Sequence, residues 1–312
     1  MSTESRKGHY DIQLMLEKYI PGDGNNAIHM REDISKALKS FINSGLSDLN
    51  FQSRLNDSNQ QFWACVSEAL IAERLSDKVF GARNSIGKGP DLLIMNGTRK
   101  VWIEITCPEP TNISQDWLNL DPIKAIDFPH EAILLRWSNA IKTKADKLIG
   151  YEDGTKLGYI KSGLVNSEDA YVIAVNACLL RSGWYPVHEG ISGLPFAVEA
   201  VLSVGPHQLK IDKMTSEVVH HGHQFRSNLI NHNNSQVPTS LFMNPRFNPI
   251  SAIWALDLNG SSAIGIKETS SIIHNPNANN PIPTNFLPTD EEYVAILNND
   301  ELEVSKIPRP NQ

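Results

Sequence analysis

Between residues 90 and 106 the chain reads PDLLIMNGTRKVWIEIT, two short runs of strand-forming residues joined by Asn96-Gly97. An Asn-Gly step between apolar runs predicts a tight hairpin, because the turns that match strand twist need residues tolerant of positive φ. Side chains alternate along a strand, so a two-residue turn sorts the whole segment into two faces. With Met95 set opposite Thr98 and Asp91 opposite Trp102, one face collects Leu92, Ile94, Val101, Ile103 and Ile105. The other collects Asp91, Leu93, Lys100, Trp102, Glu104 and Thr106. The first face is wholly apolar and must be core. A three-residue turn would flip the parity, and the clean apolar partition argues against one. On the second face Asp91 and Glu104 are diagonal neighbours, roughly 7–8 Å apart at Cα level.

The flanking segments give this hairpin its setting. Residues 60–75 are good helix formers, with Phe62, Val66, Ala69, Leu70 and Glu73 in one sector. On that helix Glu68 has Ala64, Ala72 and Leu75 as surface neighbours, which makes it a carboxylate on a largely covered face. Residues 129–151 read as a long helix ending at Gly150. Its members Trp137, Ile141, Lys144, Leu148 and Tyr151 recur at helical spacing and set Lys144 in a seam packed toward the sheet, where a lysine is rare without a partner. Lys142 and Lys147 read as solvated helix charges. Residues 170–180, AYVIAVNACLL, are a buried strand.

Helix, hairpin, helix and buried strand define an α/β class with a mixed sheet flanked by helices. Residues 1–56 form an N-terminal helical segment broken at Pro21-Gly22-Asp23-Gly24, 57–185 the core, and 186–312 a C-terminal α/β, β-rich extension packed on it. That extension carries β-like runs near 209, 251 and 263, and an irregular loop through HNPNANNPIPTNFLP.

Charge narrows the partners. Lys plus Arg number 28 against 35 Asp plus Glu, a net −7, so a uniformly basic nucleic-acid coat is excluded and any such surface must be local. No stretch approaches the ~20 apolar residues of a bilayer span, and the first twenty residues lack the apolar segment of a secretory leader. A cytoplasmic protein with no membrane partner is expected. Cys65, Cys107 and Cys178 are few and scattered, as expected of reduced thiols.

Paired carboxylates on neighbouring strands suit a hard divalent ion, Mg²⁺ or Mn²⁺, that takes oxygen ligands and bridges to phosphate. The reaction this implies is phosphodiester hydrolysis. Pro90-Asp91, the hairpin, and Glu104-Ile105-Thr106 resemble the PD-(D/E)XK nuclease superfamily, whose fold is restriction-endonuclease-like. The resemblance implies that Asp91 and Glu104 hold the metal, that Glu68 on the preceding helix joins the shell, and that a lysine positions the attacking water. Thr106 stands where that lysine usually is, and Lys144 is the candidate replacement, since superfamily members exist in which the lysine has migrated to this helix. More widely, GPDLLI, VWIEITCPEP, RWSNAIKTKADKL, YVIAVNA and ISAIWAL resemble a bacterial family without an assigned function, over roughly residues 60–260.

The expected function is a metal-dependent endonuclease, with DNA as the first substrate class and a homodimer as one way to cut both strands. The alternative is a nuclease-like domain that binds nucleic acid or a protein partner without cleaving. Each residue also has a plainer account. Asp91 follows Pro90 at a strand start, Glu104 can face solvent, Thr106 is a strand former, and Lys144 can snorkel past its neighbours. GARNSIGKGP lacks the spacing of an ATP-binding loop, but its Arg83 and Lys88 are candidate phosphate contacts. His220, His221 and His223, with His232 beyond, would make a His-centred nuclease only if they converged on one metal.

Overall fold

The computed structural model describes residues 12–81, 88–119, 121, 123–181, 188–298 and 301–308. The chain opens with helices α1 (12–19), α2 (Asn25–Asn43), α3 (Phe51–Asp57) and α4 (Asn59–Leu75), then strands β1 (Val79–Gly81), β2 (Leu92–Asn96) and β3 (Arg99–Thr106). Helices α5 (Gln115–Leu118) and α6 (His130–Ile149) precede β4 (Ala170–Asn176) and α7 (Phe196–Leu202). Two small hairpins follow, β5 (Val204–Ile211) with β6 (Val218–Phe225), and β7 (Asn228–Ile230) with β8 (Gln236–Pro238). The last elements are β9 (Ala252–Leu256), α8 (Gly260–Ala263), β10 (Ser271–His274), β11 (Glu291–Asn298) and β12 (Glu301–Ile307).

Eight strands make one mixed sheet in the order β1-β2-β3-β4-β9-β10-β11-β12. Its centre is parallel from β3 through β4 to β9, and antiparallel pairs flank it. Half of these strands lie beyond residue 186, so the sheet runs through the 57–185 region and the C-terminal segment alike. The AIGIK run near 263, expected to be strand, instead spans the end of α8 and a turn at Gly265. A capping box at Asn259 and Ser262 nucleates that helical turn, and local capping overrides the strand-like composition. Among the described residues no helix is long and apolar enough to cross a membrane.

Sheet parity separates two cores. Leu92, Ile94, Val101, Ile103 and Ile105 all join the core under α1 to α4, together with Ala174 and Trp254. Trp102, Tyr171, Ile173 and Val175 face the other way, against α6 and α7. Both cores are built of buried side chains and Trp254 is fully buried, so truncating it to alanine would cost about 3–5 kcal/mol. Helix α4 is buried on nearly every side because α2 and α3 cover the surface that the sheet does not. Glu73, expected in its inward sector, is exposed in the last turn. Asn176 pins the layers together: its amide nitrogen donates to Ser67 Oγ and to the Leu258 carbonyl, while its oxygen accepts from Leu258 N–H.

The hairpin register differs from the expected one. Leu92 pairs with Ile103 and Asn96 with Arg99, so the turn is Gly97-Thr98 and not Asn96-Gly97. Gly97 takes φ +60° at the first central position, the place a II′-type turn reserves for glycine. A shift of two residues preserves the side-chain alternation, so the paired residues keep their expected faces. The strand pairing ends at Leu92 and Ile103, and the Asp91 N–H donates to the carbonyl of Ile103.

Candidate active site

Asp91 enters the site from a backbone that only glycine supports. Gly89 has φ +126°, and its carbonyl accepts from the Tyr159 hydroxyl at 3.2 Å. Pro90 then leads directly into Asp91, whose N–H donates to the Ile103 carbonyl at 3.1 Å. The carboxylate accepts from the Ile105 N–H through Oδ2 at 2.5 Å. Both ends of Asp91 therefore grip β3, and the carboxyl is buried at the lip of a cleft.

Glu104 stands in the middle of β3 on the face turned to α6 and is completely buried. Two ammonium groups meet its Oε1: Lys144 Nζ at 2.8 Å and Lys147 Nζ at 2.8 Å. Three residues apart on α6, the two lysines share one side of the helix. The Lys144 side chain is 14% exposed and that of Lys147 37%. Burial pushes the Glu104 carboxyl up, but the two lysines outweigh it and hold the group below its usual range. Burial lowers Lys147, and the Lys144 charge adds to that, against the pull of Glu104. Glu104 Oε2 is buried without a hydrogen-bond partner. Tyr171, on the adjoining strand, is raised far above the usual tyrosine value by burial first and by the Glu104 charge next. Its hydroxyl closes no hydrogen bond of regular geometry.

Glu68 lies on the α4 wall of the same cleft, buried as its apolar neighbours implied. Arg54 from α3 spans it in a fork, Nη1 to Oε1 at 2.8 Å and Nη2 to Oε2 at 3.2 Å, and also reaches Asp48 at 2.9 Å. The cleft encloses about 750 Å³; Thr106, Lys88 and Lys156 line it alongside Asp91, Lys144 and Lys147. Its basic groups, Arg54 and the four lysines, outnumber the carboxylates of Asp48, Glu68, Asp91 and Glu104. A locally positive cleft in a chain of net −7 is the arrangement expected of a site for a polyanion.

The donor chemistry fits a divalent cation at two positions. Asp91 and Glu104 both offer hard oxygen ligands, and Glu104 Oε2 is a buried acceptor without a hydrogen-bond partner. The fit stops at two: Arg54 already takes both oxygens of Glu68. Among the described residues no group of three or more His, Cys, Asp or Glu side chains is set to hold a metal ion. The histidines of the C-terminal hairpin give no such group either. His207 contacts His221 and His223 ring to ring, His223 Nε2 is 3.0 Å from the Ser192 carbonyl oxygen, and His232 pairs with Asn112. Arg83 lies outside the described residues.

Lys147, Arg54 and Lys156 of the site were not foreseen from the sequence. Lys147 is not a solvated helix charge but a second ligand of Glu104, and its spacing from Lys144 was the available sign. Arg54 lies in the helical lead-in, and nothing local to that segment announces its partner. Lys142 does lie at the surface and pairs with Asp146. Tyr151, expected to end the buried stripe, is exposed because α6 stops at Ile149. Compared with protein families, with curated proteins and with solved structures, the chain matches none.

Proposed function

We propose that the chain is a metal-dependent nuclease of the PD-(D/E)XK type on a restriction-endonuclease-like core, hydrolysing phosphodiester bonds, with DNA as the first substrate class. The observation that carries the reading is the ammonium of Lys144, 2.8 Å from Glu104 Oε1 in a cationic cleft that Asp91 shares. A strand residue in the lysine position would point from β3 toward this same space, and Lys144 reaches it from the helix.

Asp91 and Glu104 would hold Mg²⁺ or Mn²⁺. Bound there, the ion supplies Lewis-acid stabilisation of the charge that develops on the phosphate. Lys144 donates one of its three N–H bonds to Glu104 and keeps two for a water or a phosphate oxygen. Held by Glu104, it orients that water without losing side-chain freedom at the moment of reaction. Attack on phosphorus in line with the leaving sugar oxygen then breaks the P–O bond. Lys147 places a second positive charge beside the same carboxylate, and Lys88 and Lys156 offer backbone phosphate contacts at the rim.

A second reading, a nuclease-like domain that binds nucleic acid without cutting it, draws on Thr106 in the lysine position and on the Arg54 fork that removes Glu68 from the donor set. Incubation of supercoiled plasmid, single-stranded DNA and RNA with Mg²⁺, Mn²⁺ or EDTA separates the two. Cleavage that needs metal and is lost in Asp91→Ala supports the enzyme. A folded wild type that binds but leaves every substrate intact supports the binding domain.

A further inference from the structure

We infer that the chain carries a second ligand site, between α6 and the β7–β8 hairpin, for a small organic anion: an oxyanion head on an apolar body. A cavity of about 570 Å³ opens there, formed by the N-terminal half of α6, the hairpin and the short helical turns at Leu241–Met243 and Pro245–Phe247. It is distinct from the cleft of Asp91 and Glu104, with which it shares no lining residue.

The polar groups of this cavity are unevenly satisfied. Glu131 pairs with Arg226, Glu152 with Arg246 and Lys142 with Asp146, so these charges are already answered. Arg136 is not. Among the described residues it makes no ion pair and no hydrogen bond, and its Nε is buried without a partner. Burial lowers the guanidinium below its ordinary value, opposed only by the charge of Glu109. Two positions along the helix, Ser138 is 2% exposed and its Oγ also lacks a partner. Buried donors left unmade are costly, and two of them lining one cavity call for a ligand that brings acceptor oxygens. A guanidinium answers a carboxylate or a phosphate best, through paired N–H donors.

Leu135, Ile230, Val237, Leu241 and Phe247 supply the apolar part of the lining, beside neutral polar side chains such as Asn139 and Gln236. They offer an apolar wall wide enough for a ring system, the usual division of labour in a small-molecule pocket. Carboxylate and phosphate heads share this chemistry, and the test distinguishes them.

Isothermal titration of the full chain with 2-naphthoate, 1-naphthyl phosphate and the neutral 2-naphthalenemethanol tests the site, with Arg136→Gln and Ala132→Trp as variants. Saturable binding of at least one anion is expected, about tenfold or more tighter than the neutral compound. Arg136→Gln should remove that advantage, and Ala132→Trp, which fills the cavity from its half-exposed wall, should weaken all binding. Whichever anion binds more tightly identifies the head group. The inference is overturned if neither anion saturates, if the neutral compound binds equally well, or if both variants, folded by circular dichroism, bind as the wild type does.

Discussion

The two lysines on Glu104 make a sharp stability prediction. Glu104 is completely buried, and Lys144 and Lys147 are what keep it ionised there. Either lysine alone still provides a counter-charge, so Lys144→Met or Lys147→Met is expected to cost about 1 kcal/mol or less. Removing both leaves a carboxyl with no cation, which burial forces into the neutral form. Holding it neutral at pH 7, against an ordinary value of 4.5, costs about 3 kcal/mol. The double variant should therefore lose more than the two single variants together, by about 1 kcal/mol or more. The pH dependence also reverses. In the wild type the lowered carboxyl contributes stability in full above 4.5, and that contribution fades as pH falls through the lowered value. In the double variant the raised carboxyl contributes in full below 4.5, so stability is regained as pH falls from 7 toward 5. Urea unfolding followed by circular dichroism, at pH 7 and pH 5 in EDTA, measures both. Additive losses, or a double variant that follows the wild-type pH slope, would refute the electrostatic account of this trio.

Asp257, buried beside Arg181 at 3.2 Å, is raised to about 6 by burial, against the opposing charge of Arg181. Its contribution is therefore full below 3.8 and is lost, by up to about 3 kcal/mol, as pH climbs through 6. Asp257→Asn should gain stability relative to the wild type between pH 4.5 and 7.5 in thermal unfolding, and parallel curves would contradict this. A Cβ on Gly158 would stand 2.3 Å from both the Gly150 nitrogen and the Leu148 carbonyl oxygen. Gly158→Ala should cost about 3 kcal/mol or more in denaturant unfolding, because backbone at the end of α6 cannot step aside. If the cleft binds nucleic acid, Lys88→Ala and Lys156→Ala should each reduce the slope of log affinity against log salt by about 1, without altering sequence preference.

What the sequence revealed depended on how local the governing physics is. Alternation within 92–105 assigned each side chain to its face, and a turn misplaced by one residue, which shifts the pairing by two, left that assignment intact because the strand period is two. The apolar stripe on 137–148 located Lys144 in the seam beside Glu104. The same helix geometry carried Lys147 to Glu104, yet a lysine flanked by Asp146 looks like ordinary helix surface. The Arg54 fork on Glu68 joins two helices, and Asn176 joins β4 to α4 and to the loop after β9. Such contacts arise only once the layers are stacked. The C-terminal strands were the least legible: β10 pairs in parallel with β11 across a 16-residue irregular stretch, a connection that no turn motif announces.

The most direct test of the central claim is the single-turnover rate of DNA cleavage in saturating Mg²⁺ for the wild type, Lys144→Met and Lys147→Met. If Lys144 orients the attacking water, its replacement should slow cleavage by about a hundredfold or more, the usual contribution of a positioned catalytic group. Lys147→Met should retain more activity than Lys144→Met. Cleavage by Lys144→Met at the wild-type rate would contradict the assignment of this lysine as the group that completes the site.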